Sequence, residues 1–252
     1  MAGWLHHFPE YGRTGSKKLP RAWRSLKGWK RLAPPRARKP RSYPLVCAMA
    51  AELTRRGRRD IGQWILVGHG GYFRPNENLA LRQKDLVPPS TVCRHWVVVV
   101  APEEEGRPAK NKEYDDSVTF DLQYLKYLDA IFKQLRGAGG RQRVWQFNYA
   151  ELLNEWRPAA RALGCPDFVP YELRHSGPSW ERMRGWRSLP TVQKRGRWKA
   201  LKSVMRYEKA GRLQQQMAQV PAVMAKHYAA CESQIEVLLR GRLAPAKPPR
   251  SG

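Results

Sequence analysis

The chain has 252 residues, 47 of them Lys or Arg against 21 Asp or Glu, for a net charge of +26 at pH 7. Its 42% hydrophobic content, with 10 Trp and 10 Tyr, suffices for one large or two small domains and excludes a wholly disordered chain. So large a positive charge opposes compaction unless a polyanion neutralises it, which points to nucleic acid. An anionic membrane is the weaker partner, because no long apolar span and no polybasic amphipathic helix stands out. Charge alone does not separate this reading from a ribosome-associated or merely basic protein.

Four cysteines (Cys47, Cys93, Cys165, Cys231) lie far apart, without CxxC or Cys/His ligand spacing, so free thiols in a reducing compartment are expected and no zinc site. His6-His7 reads as a surface dipeptide. Trp4 to Phe8 is too short and too interrupted for a secretory signal, so an intracellular protein is expected. In a eukaryote, Lys17-Lys18 and the Arg36–Arg41 run would suit nuclear import; in a bacterium the place would be the cytoplasm or nucleoid.

Residues 1–41 are basic and rich in Pro and Gly. Arg21 to Arg31 predicts one short helix. Pro34 to Arg41 predicts an extended basic linker, since its prolines block helix and its charges repel. It is either an arm along a DNA backbone or a solvated spacer. Tyr43–Arg56 predicts a helix, with Pro44 at its start and Leu45, Met49 and Leu53 at helical spacing. Ile61–Val67 predicts a second, broken by Gly68-His69-Gly70-Gly71. Those glycines are no phosphate loop, for they lack the GK[ST] ending. Arg74 then precedes Pro75 at a helix start, where a guanidinium and backbone N–H groups can share an anion, and Glu77 can brace it.

His95–Pro102 and Ser117–Asp121 predict two strands of a hairpin, with Lys110 and Lys112 near the entry to the second. Helices are predicted over Gln123–Leu135 and Phe147–Leu163. Pro170–Trp186 carries Tyr171 and Arg174 at i and i+3, on one helix face. Pro178 opposes the Arg174 carbonyl there, so a kink or a restart is expected. Thr191–Trp198 is short and basic. Lys199–Lys209 predicts a helix carrying Tyr207, and Val220–Leu239 another, packed on its own domain or on a neighbouring protomer. These elements amount to a mainly α fold with a small antiparallel β-hairpin or sheet.

The ordered set Arg74-x-x-Glu77, a hairpin lysine, Tyr171-Glu-Leu-Arg174-His175, Gly-Arg-Trp198 and Tyr207 resembles the catalytic domain of the tyrosine recombinases, the phage-integrase family, over roughly residues 42–212. The resemblance implies DNA strand cleavage and rejoining through a 3′-phosphotyrosyl intermediate, as in recombination or integration by a mobile element. It implies catalytic roles for Arg74, Lys110 (with Lys112 the second choice), Tyr171, Arg174, Trp198 and Tyr207. Two arginines would clamp the charge on the phosphate, a lysine would protonate the leaving 5′-oxygen, the indole N–H would donate, and Tyr207 would attack. No metal or other cofactor is implied. Double-stranded DNA is the implied partner, with a homo-oligomer on DNA.

Glu77 and His175 are expected in supporting places, His175 turned about 100° from Arg174 on a helix and so to one side of the site. Arg36, Arg38, Lys39, Arg41, Arg195 and Arg197 are expected to contact DNA. Residues 42–240 would form the catalytic domain, 1–41 an arm or at most a remnant of a DNA-clamping domain, and 241–252 a disordered basic tail. Tyr171 departs from the family, which has His there, and a phenol is a poor base at neutral pH. The alternative is therefore a catalytically impaired, recombinase-derived DNA-binding protein.

Overall fold

The computed structural model describes residues 6–12, 15–33, 38–106, 116–241 and 245–249. The chain divides into two units, Met1–Arg38 and Lys39–Gly252. The first holds α1 (Pro20–Leu32), a helix that ends on Lys30 and Arg31 and buries none of its residues.

In the second unit the long apolar runs set the centre. α2 (Tyr43–Arg55) is buried continuously from Leu45 to Leu53, because neighbours cover it on all sides. It packs on α3 (Arg59–Gly71), on α6 (Tyr149–Ala162), on α7 (Leu173–Met183) and on α11 (Ala222–Leu239). The last contact answers one question left by the sequence: α11 packs on its own domain, and Tyr228 donates to the Leu163 carbonyl at 2.7 Å. Its stripe of Met224, Tyr228, Cys231, Ile235 and Leu238 is buried. Burial of such a stripe, not helix propensity, is what stabilises a helix of this length.

Between α3 and α6 the chain forms α4 (Pro75–Ala80), a three-stranded sheet and α5 (Leu128–Arg136). The sheet runs β1 (Leu86–Val87), β2 (Val97–Val100), β3 (Asp116–Thr119), all antiparallel, with Val98 opposite Leu86 on one side and Val118 on the other. The fold is mainly α with a small antiparallel sheet; the short β1 was not predicted. Lys110 and Lys112, in the β2–β3 connection, lie outside the described residues, as does Arg36. The last helices are α8 (Leu189–Arg195), α9 (Leu201–Tyr207), α10 (Ala210–Ala218) and α11; α10 was also not predicted.

The break expected at the glycine cluster is absent, and α7 does not restart at Pro178. The glycine cluster does not end α3; the helix runs through Gly71 and stops at Tyr72, which is left-handed with φ 52°. A Cβ on Gly70 would stand 2.9 Å from Phe120 and Leu125, so the missing side chain lets the helix end approach those residues. α7 likewise runs through Pro178 to Met183. Gly177 lets it press on α3: a Cβ there would lie 2.4 Å from the His69 carbonyl and 2.6 Å from the Tyr72 ring. Packing on both sides holds the helix despite the hydrogen bond that proline removes.

Among the described residues, no helix is long and apolar enough to cross a membrane, and no group of three or more His, Cys, Asp or Glu is placed to hold a metal ion. The four cysteines are free.

Candidate functional site

The C-terminal end of α3 presents carbonyls with no helical partner, at the negative end of the helix dipole. Three arginines take them. Arg195 donates to the Gly70 carbonyl at 2.6 Å, Arg197 reaches the Gly71 carbonyl at 3.5 Å, and Arg174 donates to the Tyr72 carbonyl at 2.5 Å. Arg174 also donates to the Gly196 carbonyl at 2.6 Å and is wholly buried. One helix end thus gathers guanidiniums from α7, from α8 and from the turn that follows it.

The carboxylate of Glu77, in the first turn of α4, sits among these charges. It pairs with the Arg74 guanidinium, accepts from the Arg74 backbone N–H at 2.9 Å, and pairs with Arg197 at 2.7 Å and Arg174 at 3.8 Å. Although burial pushes its carboxyl up, Arg197, Arg174 and Arg74 together hold it below the usual carboxylate range. Burial lowers Arg174 to about 10, with Glu77 opposing, so the guanidinium is charged at neutral pH. Three cations face the Glu77 carboxylate, and Asp116 also acts on Arg197. The Nε atoms of Arg74, Arg174 and Arg197 are buried without hydrogen-bond partners, as is the Trp198 indole nitrogen. Buried donors are rarely left unpaired unless a ligand or water takes them. A cavity of about 480 Å³ opens beside Arg74 and Glu77, bounded by Val99 to Pro102.

Tyr207 closes the cluster. Its ring stacks on Trp198 at 4.8 Å and lies 5.5 Å from the Arg174 guanidinium, which is itself 4.8 Å from the Trp198 ring. Tyr72, Val192, Trp198 and Val204 form a small apolar cluster, separate from the main core, on which Tyr207 packs. Ser179 on α7 ties down the end of α9: its hydroxyl accepts from the Lys209 N–H at 2.8 Å and lies 3.3 Å from the Tyr207 carbonyl. The Tyr207 hydroxyl is 3.5 Å from that of Tyr171. Burial raises the Tyr207 phenol, and the Tyr171 contact raises it further; Arg174 and Arg74 act the other way.

The structure therefore brings together Arg74, Glu77, Tyr171, Arg174, Trp198 and Tyr207. It also corrects the placing of His175. The ring does not point aside; it lies 4.7 Å from the Tyr207 ring, so Tyr207 is held between His175 and Trp198. The reason is that Tyr207 comes from α9, across α7, and meets the flank of α7 that carries His175.

Three of the arginines expected on DNA are turned inward. Arg195 is 8% exposed, with its guanidinium on the Gly70 and Thr119 carbonyls. Arg197 is bound to Glu77. Arg41 is buried on Glu172 at 2.8 Å and Asp167 at 3.1 Å, anchoring the start of the larger unit to the turn before α7. A buried guanidinium needs a partner, and in each case a carboxylate or carbonyl supplies it. Lys39 is partly exposed and pairs with Asp167 at 3.5 Å, while Arg38 is exposed. Sequence reasoning did not single out Ser179, Tyr72 or the place of Arg197 on Glu77, and no periodicity or motif marks them.

No protein-family model and no curated protein matches this chain. Among solved structures it is similar to the XerH site-specific recombinase bound to palindromic difH substrate in a post-cleavage complex, with 15% identity, a TM-score of 0.49 and coverage of 73% of this chain and 54% of that one. It is also similar to XerH bound to difH substrate in a pre-cleavage complex, with 16% identity, a TM-score of 0.46 and coverage of 72% and 52%. The chain spans about half the length of those recombinase chains.

Proposed function

We propose that the chain cleaves and rejoins DNA strands through a 3′-phosphotyrosyl intermediate, with Tyr207 as the nucleophile. The observation that carries this reading is a half-buried phenol 5.5 Å from the Arg174 guanidinium, one of three gathered on Glu77 whose Nε donors have no partner among the described residues. A surplus of fixed donors suits a phosphodiester, whose non-bridging oxygens gain charge as a fifth oxygen approaches. Arg74 and Arg174 clamp those oxygens, and the Trp198 N–H donates without adding charge.

In the step, the Tyr207 oxygen bonds to phosphorus and the bond to the 5′-oxygen breaks. The phenol gives up its proton and the 5′-oxygen gains one. Lys110 is the proton donor implied by the family resemblance, with Lys112 the second choice. Attack by a 5′-OH reverses the sequence and joins strands. Double-stranded DNA is the substrate, and Arg38 and Lys39 are among the exposed or partly exposed basic residues suited to track its backbone. Recombination or integration by a mobile element, on an oligomer assembled on DNA, is the biological setting this chemistry fits.

A second reading keeps the DNA contacts and drops the chemistry. It is favoured by Tyr171 in place of a histidine and by a Tyr207 phenol raised above its ordinary value. The two readings part on one experiment. A pool of random duplexes is enriched by binding, nicked, and incubated with the protein. A covalent adduct that resists denaturant and disappears in Tyr207→Phe supports cleavage. Retained binding with no adduct in the parent chain supports the second reading.

A further inference from the structure

We propose that Arg197 is a third cation of the phosphate site, a positioning residue that holds Glu77 so that Arg74 and Arg174 can face the phosphate. The inference rests on reading the cluster of Arg74, Glu77 and Arg174 as a phosphate site. Glu77 offers two oxygens. Arg74 takes one; Arg197, at 2.7 Å, and Arg174, at 3.8 Å, divide the other. Without Arg197, the carboxylate would be free to draw Arg174 and Arg74 fully to itself and would compete with any phosphate for them. With it, these four side chains set three positive charges against one negative, a surplus of two within the quartet, while Asp116 acts on Arg197 from outside it.

The setting of Arg197 is costly in two ways. Its side chain is 1% exposed, so the charge is stripped of water. Its backbone is left-handed, φ 55°, a region that favours glycine. The guanidinium packs over the Phe73 ring at 5.3 Å and touches the Gly71 carbonyl, so it cannot swing out to contact DNA at the surface. It acts on the ligand through Glu77.

The test uses the full chain, no DNA, and inorganic phosphate as the probe, titrated calorimetrically. The parent chain should bind phosphate. Arg197→Gln should weaken binding about tenfold, and Glu77→Gln should strengthen it by a similar factor, as one unit of charge a few ångströms away is removed in either sense. The double variant Glu77→Gln/Arg197→Gln keeps the surplus of two and should return to within about twofold of the parent, a rescue that a packing role for Arg197 does not produce. Should Arg197→Gln alone fail to fold, the double variant is compared directly with the parent and Glu77→Gln, and must bind like the first and more weakly than the second. Failure of the parent to bind phosphate, unchanged binding in Arg197→Gln, or a double variant as weak as Arg197→Gln overturns the proposal. Because no DNA is present, a chain that follows this order yet forms no DNA adduct loses the cleavage reading and keeps the role of Arg197.

Discussion

Glu77 and Glu181 are two carboxylates set among arginines, and they differ in whether their surroundings are closed. Glu181 is wholly buried; it accepts from Tyr72 at 2.5 Å, Tyr124 at 2.8 Å and Arg187 at 2.5 Å. Arg187 also pairs with Asp121, which Arg195 approaches at 3.6 Å. Two arginines balance two carboxylates, and Glu181, Tyr72, Tyr124 and Arg187 show no buried side-chain polar atom without a partner. Around Glu77 the cations outnumber the anion and their Nε donors are unclaimed. A balanced network specifies a packing; a surplus of fixed donors leaves capacity for an anion. Tyr72 joins the two, giving its hydroxyl to Glu181 and its carbonyl to Arg174.

This contrast can be broken at either end. The largest effect is expected for Tyr207→Phe, which should take adduct formation below detection while leaving DNA binding within about twofold, since only the proposed nucleophile is lost; gel-shift and denaturing gels read the two separately. Arg174→Lys should follow, slowing adduct formation about a hundredfold or more, because an ammonium cannot serve the Tyr72 and Gly196 carbonyls and a phosphate together. An adduct rate within a few fold of the parent would remove Arg174 from the chemistry.

At the balanced network the readout is stability. Glu181→Gln should cost about 3 kcal/mol in urea unfolding by removing the buried charge that Arg187, Tyr72 and Tyr124 share, leaving Arg187 only Asp121, and phosphate affinity measured where the variant is folded should be unchanged. Equal damage to phosphate binding would show that the two regions are one. Gly177→Ala should cost about 1–3 kcal/mol by forcing a methyl against the His69 carbonyl and the Tyr72 ring.

The smallest expected effect is in pH dependence. Glu77 is held below its ordinary value, so it binds fewer protons folded than unfolded in the acid range. Its contribution to stability is present above the unfolded carboxylate value and is lost as pH falls through the lower folded value. Glu77→Gln should flatten that part of the stability profile below about pH 4.5.

Much of the fold was legible because α2 and α3 are long apolar runs and β2 is four valines; burial patterns of that length have few other solutions. Arg74, Arg174, Trp198 and Tyr207 were legible through their order along the chain. What failed had a common cause. Gly68–Gly71 and Pro178 disfavour helix locally, yet α3 and α7 pass through them because each helix is gripped by its neighbour. His175 was judged from the geometry of its own helix alone, while the tyrosine it touches arrives on another. Arg41, Arg195 and Arg197 looked like surface charges, since nothing in the local sequence shows the carbonyl or carboxylate each one meets.

By itself, then, the sequence determined a mainly helical basic domain and the order in which the candidate site residues appear. Charge count, apolar periodicity and residue order are properties of the chain in any conformation. Only the tertiary structure decided which of the described basic residues are bound to internal partners, as Arg41, Arg187 and Arg195 are, and which gather on Glu77. That division depends on desolvation and on contacts between residues far apart in sequence, such as Glu77 with Arg174 and Arg197, and these exist only once α3, α4, α7 and the turn after α8 have met.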